Sequence, residues 1–195
     1  MARTREADGE NRASREALIL DTTESLLIEV GYGAISTRKV AKRLGMTAPL
    51  IHYYFKTTDD LLVAVYRRSA RRSRALQAEA FAKGGLAALW QAVSDRRRMA
   101  LAIEFMAMAN HRPAIRDEIV RSVEVLRAEQ QEAVEREIAG HPELSLPFSP
   151  LVLTVMVAGI GQALVMEEGV GITLGHDEVR QEMTALIDKL LGPRD

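Results

Sequence analysis

Side chains that could contact nucleic acid are concentrated in residues 36–56, which read STRKVAKRLGMTAPLIHYYFK. Hydroxyl and basic groups bind phosphate oxygens, and arginine is the usual partner of guanine. Three short apolar residues, Ala48, Pro49 and Leu50, suit the methyl group of thymine. The stretch is therefore predicted to face the major groove of double-stranded DNA.

The same stretch carries the local signals of two short helices joined by a tight turn. Ser36 is a suitable N-cap for the first helix, and Gly45 stands where a helix often closes in the left-handed conformation. Thr47 is predicted to cap the second helix, and Pro49 lies in its first turn, where the missing N–H does no harm. This arrangement is a helix-turn-helix with its second helix presented to DNA.

A further helix is predicted before this stretch. Apolar and small residues recur at helical spacing from Ser14 to Val30 and form one face. Three helices within residues 14–58 would make a small DNA-binding domain that needs support from the rest of the chain. Residues 1–13 are charged and have no apolar core, so they are predicted to be a disordered arm.

Residues 59–195 are predicted to form a larger helical domain. Four helices are expected before a loop rich in glycine and proline at residues 140–150: one to about Phe81, then Leu86–Val93, Arg96–Asn110 and one ending at Ala139. Two apolar or amphipathic helices follow the loop. No strand pattern occurs, so the fold class is all-α with about nine helices.

Composition limits the compartment and the chemistry. The 195 residues include no cysteine, which excludes disulfides and thiolate metal sites and favours a reducing compartment. The N-terminal residues do not resemble a signal peptide, and no stretch is judged to reach the roughly 20 apolar residues of a membrane span. The sequence is therefore predicted to be soluble, cytoplasmic and not associated with a membrane.

Charge and motifs separate the candidate classes of function. Residues 1–75 hold 14 Lys/Arg and 9 Asp/Glu, although the whole chain has a net charge of −1, and this asymmetry favours a nucleic-acid-facing N-terminal part. The four histidines do not fall at metal-ligand spacing, and no G-x-S-x-G motif occurs. We therefore expect no enzyme activity, no catalytic residue, no metal and no cofactor.

From Arg15 to Leu62 the sequence resembles the TetR family of bacterial transcriptional regulators. The resemblance rests on GYGAISTRKVAKRLGMTAPLIHYYF followed by DDLL, in the order and spacing of the family's helix-turn-helix. It implies a homodimeric repressor on a palindromic operator. It also implies a small-molecule effector that binds the larger domain, shifts the fourth helix and releases the DNA.

The resemblance implies a role for each residue of the helix-turn-helix. Phosphate contacts fall to Ser36, Thr37, Tyr54 and Lys56, and base-edge contacts to Arg38, Thr47, Ala48, Pro49, Leu50 and Tyr53. The chain departs from the family at His52, where tyrosine is usual, and at Thr58, where lysine is usual. Both usual residues bind phosphate. His52 is retained as a DNA-binding candidate, and the alternative is a partly buried ring packed against the first helix.

The dimer interface is predicted on the last two helices. Small residues there permit close helix approach and larger ones supply an apolar face: Ala158, Gly159, Gly161, Ala163, Met183, Leu186 and Leu190. The alternative is that these residues pack within one subunit.

A ligand site in the larger domain is implied by the resemblance and has limited support from the residues themselves. The candidates are Trp90, Glu104, Phe105, Met108, Asn110, Met156 and Gln162. Glu104 is the most specific of them, because a carboxylate inside MALAIEFMAMA needs a partner. That partner is either a nearby arginine or helix end, which is the favoured interpretation, or a hydrophobic or cationic ligand.

Two other functions remain alternatives. A ligand-independent architectural or cell-division factor could use the same fold, and a dry, fully packed larger domain would favour it. A helical protein-interaction module is disfavoured by the helix-turn-helix and the basic N-terminal part. The favoured hypothesis is a ligand-responsive transcriptional repressor.

Overall fold

The computed structural model describes the backbone of residues 2–93, 96–140 and 148–191, and the side chains of residues 11–92, 99–140 and 148–190. Its helices are α1 Ala2–Val30, α2 Thr37–Leu44, α3 Ala48–Tyr54, α4 Thr58–Val93, α5 Arg96–Ala109, α6 Pro113–Ala139, α7 Pro150–Gly169 and α8 His176–Leu191. A short 3-10 helix, Tyr32–Ala34, lies between α1 and α2. The described residues contain no strand, and the predicted all-α class is confirmed.

The helix count differs from the prediction at one place. Residues 58–93 are continuous as α4, where two helices were predicted, so the described part of the chain has eight α-helices. The predicted break is nevertheless present as a kink, because Gly85 has φ 56° and ψ −143° inside α4. Glycine permits this conformation because it has no Cβ. Ser94 and Asp95, predicted to cap the next helix, lie outside the described residues.

The first helix begins earlier than the prediction of Ser14. It extends from Ala2, through the segment predicted to be a disordered arm. This segment contains alanine, arginine and glutamate, which have high helix propensity, and it continues a helix that is already anchored by buried residues further along.

One compact unit consists of Met1–Ser69 and Glu104–Ile119. Ile19, Ile51 and Leu61 are fully buried in it, and Phe105 is 1 % exposed. The Phe105 ring stands edge-on to Tyr66, with 5.1 Å between ring centroids. The helix-turn-helix is thus supported by part of α4 and by the α5–α6 segment, which the division at residue 58 assigns to the larger domain.

The second compact unit consists of Ala70–Ile103 and Val120–Asp195. Its core joins α4, α6, α7 and α8 through nine buried residues: Leu86, Leu89, Trp90, Val134, Leu153, Val157, Leu164, Met183 and Ile187. His176, at the start of α8, is 3 % exposed, and its Nε2 lies 2.8 Å from Glu167 Oε2.

Helix α7 is longer and more apolar than the sequence analysis expected of any segment. By length and composition it could cross a membrane, although no such stretch was expected. Buried core helices of soluble proteins have the same composition, and α7 contributes Leu153, Val157 and Leu164 to the core of the second unit. Only 33 % of its apolar window is buried, which leaves an exposed apolar face.

Candidate nucleic-acid interface

Local hydrogen bonds fix the turn between α2 and α3 as the sequence predicts. The Lys39 N–H donates to Ser36 Oγ at 3.2 Å, which confirms Ser36 as the N-cap of α2. Gly45 closes α2 in the left-handed region at φ 64°. The Met46 N–H then donates to the Ala41 carbonyl at 2.9 Å. These bonds set the direction in which α3 leaves the turn.

Thr47 corrects one detail of this prediction. It occupies the N-cap position of α3 with an extended backbone, but its side chain makes no capping hydrogen bond. The Thr47 carbonyl instead accepts the Leu50 N–H at 3.1 Å, and Pro49 has no N–H to satisfy. The hydroxyl of Thr47 is therefore not engaged at the helix start and stands on the exposed side of α3.

Helix α3 is anchored by one face and exposes the other. Ile51 is fully buried and Phe55 is 6 % exposed, which fits their i, i+4 spacing on one face. The outward residues are Thr47, Pro49, His52 and Tyr53, which are exposed, and Ala48, Leu50 and Tyr54, which are half-buried. Arg38 on α2 and Lys56 after α3 are also exposed. The structure therefore places these predicted contact residues on or beside one accessible surface.

His52 links the two helices of the motif. Its Nδ1 lies 3.0 Å from the Lys56 carbonyl oxygen, and its Nε2 lies 3.2 Å from Thr37 Oγ1. The carbonyl can only accept, so Nδ1 carries a proton, and in the neutral ring Nε2 accepts from the Thr37 hydroxyl. The ring is exposed rather than packed against α1, while Thr37 is 5 % exposed. The hydroxyl of Thr37 thus already has a partner inside the motif.

Tyr53 has two neighbours, the adjacent Tyr54 and the distant Arg12, and the contact with Arg12 was not predicted. Its ring, 66 % exposed, stands edge-on to Tyr54 at 5.2 Å, and the Arg12 guanidinium lies 5.5 Å from its centroid. This contact exists because α1 extends beyond the predicted start at Ser14. The helix-forming composition of residues 2–13 was the signal that could have revealed it.

The arginines of α4 that lie in the first unit make ion pairs within the chain. Arg67 Nη2 lies 2.7 Å from Glu118 Oε2, and Glu118 raises the pKa of Arg67 through this hydrogen bond. Arg68 pairs with Asp21 at 2.8 Å and with Glu24 at 3.2 Å. These contacts favour a structural role over DNA contact for both arginines.

The start of α4 is fixed by a capping box. The Asp60 N–H donates to Thr57 Oγ1, and the Thr57 N–H donates to Asp60 Oδ2, each at 3.0 Å. Thr58, which replaces the usual lysine of the family, is half-buried at the first position of the helix. Asp59 forms an ion pair with Arg112.

Glu104 has a partner of the kind the sequence favoured, a helix end. Its Oε2 accepts the Tyr32 N–H at 2.8 Å, at the start of the 3-10 helix. Gly31, with φ 73°, precedes this contact, and a Cβ built there would lie 3.6 Å from the same carboxylate oxygen. Glu104 therefore supports the turn into the helix-turn-helix.

The seven candidate ligand residues do not gather in one unit. Glu104, Phe105, Met108 and Asn110 belong to the first, where Phe105 and Met108 are core residues and Asn110 is exposed. Trp90, Met156 and Gln162 belong to the second. Of these, Trp90 is buried, Met156 is 37 % exposed and Gln162 is half-buried.

A cavity in the second unit lies elsewhere. It has a volume of about 910 Å³ and is lined by α4 between Arg71 and Gly85 and by α6 between Leu126 and Glu137. None of the seven candidates lines it. Sequence analysis missed it because it is formed by the facing sides of two helices, and the pairing of those helices is not visible in either segment alone.

The predicted dimer residues divide between the core and an exposed surface. Gly159 and Ala163 are exposed on α7 and Ala158 is half-buried, whereas Gly161 and Met183 are buried. Leu186 and Leu190 pack against the core of their own chain. The exposed side of α7 also carries five large apolar residues, each 37–48 % exposed: Leu151, Val152, Val155, Met156 and Met166. None of them was predicted for the dimer interface, and Met156 was predicted for the ligand site.

These features define a class: an all-helical protein with an N-terminal helix-turn-helix that presents an exposed reading helix. Residues 19–65 match the family model described as bacterial regulatory proteins, tetR family. The helix-turn-helix of this chain is a TetR-family DNA-binding domain, and the resemblance found in the sequence is confirmed. No curated protein matches the sequence.

Solved structures extend the likeness of fold to nearly the whole chain. A protein from Rhodococcus sp. described as a TetR-family regulator is 20 % identical, with a TM-score of 0.76 over 92 % of this chain and 100 % of the other. A regulator from Saccharomonospora viridis in complex with choline is 18 % identical, with a TM-score of 0.78 over 93 % and 100 %. A TetR/AcrR regulator from Thermobifida fusca is 24 % identical, with a TM-score of 0.68 over 93 % and 100 %.

Proposed function

We propose that the chain is a transcriptional repressor that binds a palindromic operator as a homodimer and is released by a small molecule. The proposed DNA-binding domain is residues 14–58, and residues 59–195 are the proposed ligand-binding and dimerisation domain. The observation that carries the proposal is α3, which is anchored by buried Ile51 and exposes its opposite face.

The composition of that face indicates how DNA would be read. Ala48, Pro49 and Leu50 offer apolar contacts suited to thymine methyl groups, and Thr47 adds an unengaged hydroxyl. Arg38 is the candidate for guanine. Ser36, Tyr54 and Lys56 are proposed to bind phosphates, together with the backbone at the start of α2. Because Thr37 Oγ1 is held by His52, we propose that Thr37 meets phosphate through its N–H.

A dimer would cover the exposed apolar side of α7. Val152, Val155, Gly159, Ala163 and Met166 recur every three or four residues and form one continuous stripe. A two-fold axis beside this stripe brings the same side chains from both subunits together, and Gly159 and Ala163 permit close approach. Two reading helices would then meet two half-sites, as is usual for helix-turn-helix dimers.

An effector is proposed for the second unit. The cavity of about 910 Å³ is large enough for a small organic molecule and argues against a dry, fully packed domain. The argument for a cationic ligand at Glu104 is weakened, because its carboxylate is held by Tyr32. The choline complex of the Saccharomonospora viridis regulator still makes choline a useful compound to test.

The experiment is a titration of DNA from upstream of the chain's own gene against the purified protein at several salt concentrations. We expect saturable, sequence-selective binding. Lys56→Gln should weaken binding to all sequences and reduce the salt slope by about one counterion, because one phosphate contact is lost. Thr47→Ala should instead relax preference at one base position and leave the salt slope unchanged.

Lys83→Gln is the matched control for Lys56→Gln. Lys83 is an exposed lysine of the second unit, paired with Glu79, and its removal should leave DNA binding and the salt slope unchanged. Equal losses in both variants would mean that net charge rather than α3 governs binding. Weak binding without sequence preference would favour the architectural alternative and contradict the proposed repressor.

A further inference from the structure

The cavity between α4 and α6 exists because small side chains face each other across it. On α4 these are Ala75, Ala78, Ala82 and Gly85, which recur every three or four residues along one side of the helix, and on α6 the corresponding small residue is Ala133. The two helices are joined by polar pairs along this space and by the apolar core of the second unit, which includes Leu86 of α4 and Val134 of α6. The result is an elongated cavity that is open to solvent, with an alanine-lined wall on the α4 side.

Most polar groups that line the cavity are already bonded within the chain. Arg74 forms a two-point ion pair with Glu129, with Nε 2.6 Å from Oε2, and these hydrogen bonds raise the pKa of Arg74. Gln77 is hydrogen-bonded to Gln130. The Leu86 N–H donates to Glu137 Oε2 at 2.9 Å, just after the kink at Gly85. These pairs hold the walls and leave few groups available to a ligand.

Arg71 is different from its neighbours. It lines the cavity, and within the described part of the chain it makes no hydrogen bond or ion pair. It lies one turn before Arg74, at the N-terminal end of the lining segment of α4. Arg74 is neutralised by Glu129, so the positive charge available at this end of the cavity is that of Arg71.

The other end of the cavity is electrostatically mixed. Arg136 also lacks a partner among the described residues, but Glu132 lies one turn before it and Glu135 directly precedes it. Nearby carboxylates offset the charge of Arg136. From Arg71 to Gly85 the α4 wall extends over 14 residue-to-residue steps, which is about 21 Å at the helical rise of 1.5 Å per residue. The cavity therefore has one cationic end and an apolar length.

We propose that this cavity binds an amphipathic organic anion, with its carboxylate on Arg71 and its apolar body along the alanine-lined wall. A guanidinium can bind a carboxylate through two parallel hydrogen bonds, and the alanine methyl groups exclude water from an alkyl chain or ring without filling the space. The inference rests on the proposed function, because it assigns a chemical class to the proposed effector. It replaces the hydrophobic or cationic class expected from Glu104.

Three probes of equal chain length separate the contribution of the head group. Decanoate, 1-decanol and decyltrimethylammonium share the alkyl chain and carry a negative, a neutral and a positive head. Equilibrium dialysis against the full-length protein measures binding directly and needs no DNA. We expect decanoate to bind at least about ten-fold more tightly than either of the others, because only its head group forms charge-assisted hydrogen bonds with Arg71.

Matched variants locate the head and the chain. Arg71→Gln should reduce decanoate affinity to that of 1-decanol, whereas Arg136→Gln removes the same charge at the other end and should change it less than about two-fold. Ala133→Leu fills the cavity and should abolish binding of all probes. Ala128→Leu, at an exposed position of α6 outside the lining, should not.

The fluorescence of the buried Trp90 can report both on the folding of the variants and on ligand binding in the cavity. It is the only tryptophan, and Phe81, which lines the cavity, packs against the same core cluster. An emission spectrum unchanged by Arg71→Gln in the absence of probe would show that the loss of affinity is not caused by unfolding. A shift on addition of decanoate that Ala133→Leu abolishes would support binding in this cavity.

The inference fails if decyltrimethylammonium binds best, if the three probes bind alike, or if Arg71→Gln leaves decanoate affinity unchanged. Each of these results leaves DNA binding by α3 intact, because that is measured on operator DNA without ligand. Conversely, decanoate binding that depends on Arg71 but does not release DNA supports the inference and contradicts the effector part of the proposed function.

Discussion

The exposed apolar side of α7 offers the sharpest test of the proposed dimer. Val155 lies in the middle of this side and is 41 % exposed. Replacing it with arginine places a charge on the surface that a partner subunit would cover. The same substitution at Val125, on α6 and 46 % exposed, is a control of matched chemistry and exposure outside the proposed interface.

The expected loss can be calculated from this exposure. Full burial of a valine side chain contributes about 1.5–3 kcal/mol, so the exposed 41 % corresponds to about 0.6–1.2 kcal/mol per subunit. A two-fold interface contains the residue twice, which gives about 1.2–2.4 kcal/mol, or roughly a 7- to 50-fold weaker dimer. Burying two arginines near the symmetry axis adds a desolvation cost, so this range is a lower bound.

Sedimentation equilibrium across protein concentration measures the dimer dissociation constant. We expect Val155→Arg to raise it by at least about ten-fold and to weaken operator binding in parallel, while Val125→Arg changes neither by more than about two-fold. A Val155→Arg protein that remains as dimeric as the native chain would refute the assignment of the interface to this face of α7. Dissociation caused by Val125→Arg instead would point to α6.

Three further predictions concern the first unit. Gly45→Ala should lower the free energy of unfolding by about 1–2 kcal/mol, because φ is 64° at this position. Gly33→Ala should leave it unchanged, because a Cβ there meets nothing within 4 Å, and the thermal unfolding midpoints of the two variants measure the difference. His52→Phe should reduce operator affinity by about 2- to 10-fold without abolishing folding, since it removes two hydrogen bonds that orient α3, and unchanged affinity by fluorescence anisotropy would contradict that role. Glu104→Leu should destabilise the protein by about 1–3 kcal/mol in chemical denaturation, because the Tyr32 N–H loses its acceptor, and a neutral effect would mean that water replaces the carboxylate.

The parts of the fold that follow from local rules could be predicted from the sequence. Ser36 and Gly45 are capping signals that act over a few residues, and each occurs at the predicted place. Ile51 and Phe55 are four residues apart, a local spacing that places both on the buried face. The existence and position of the helix-turn-helix were therefore predictable without tertiary information.

Contacts between distant segments could not be predicted. The hydrogen bond from the Tyr32 N–H to Glu104 joins residues that are 72 positions apart. The sequence favours a helix end or an arginine as the partner of Glu104, but only the folded chain shows that this helix end is the one at Tyr32. Thr47 shows the opposite limit, because a good capping residue at the capping position makes no capping bond. A propensity states what a residue can do, and the tertiary arrangement decides whether it does so.

The proposed release of DNA by an effector would involve α4 and α6. Both helices run through both compact units, and they are joined to each other in each: by Arg67–Glu118 in the first, and by Arg74–Glu129 and Gln77–Gln130 in the second. A ligand that enters between the two helices must fit the distance between them that the pairs Arg74–Glu129 and Gln77–Gln130 set, or change it. If operator DNA favours one spacing and the ligand another, each weakens the binding of the other by the same factor, because the coupling free energy is shared. If the proposed effector binds in the alanine-lined cavity, it contacts the same two helices whose N-terminal parts belong to the first unit, and operator affinity measured with and without decanoate would test that coupling.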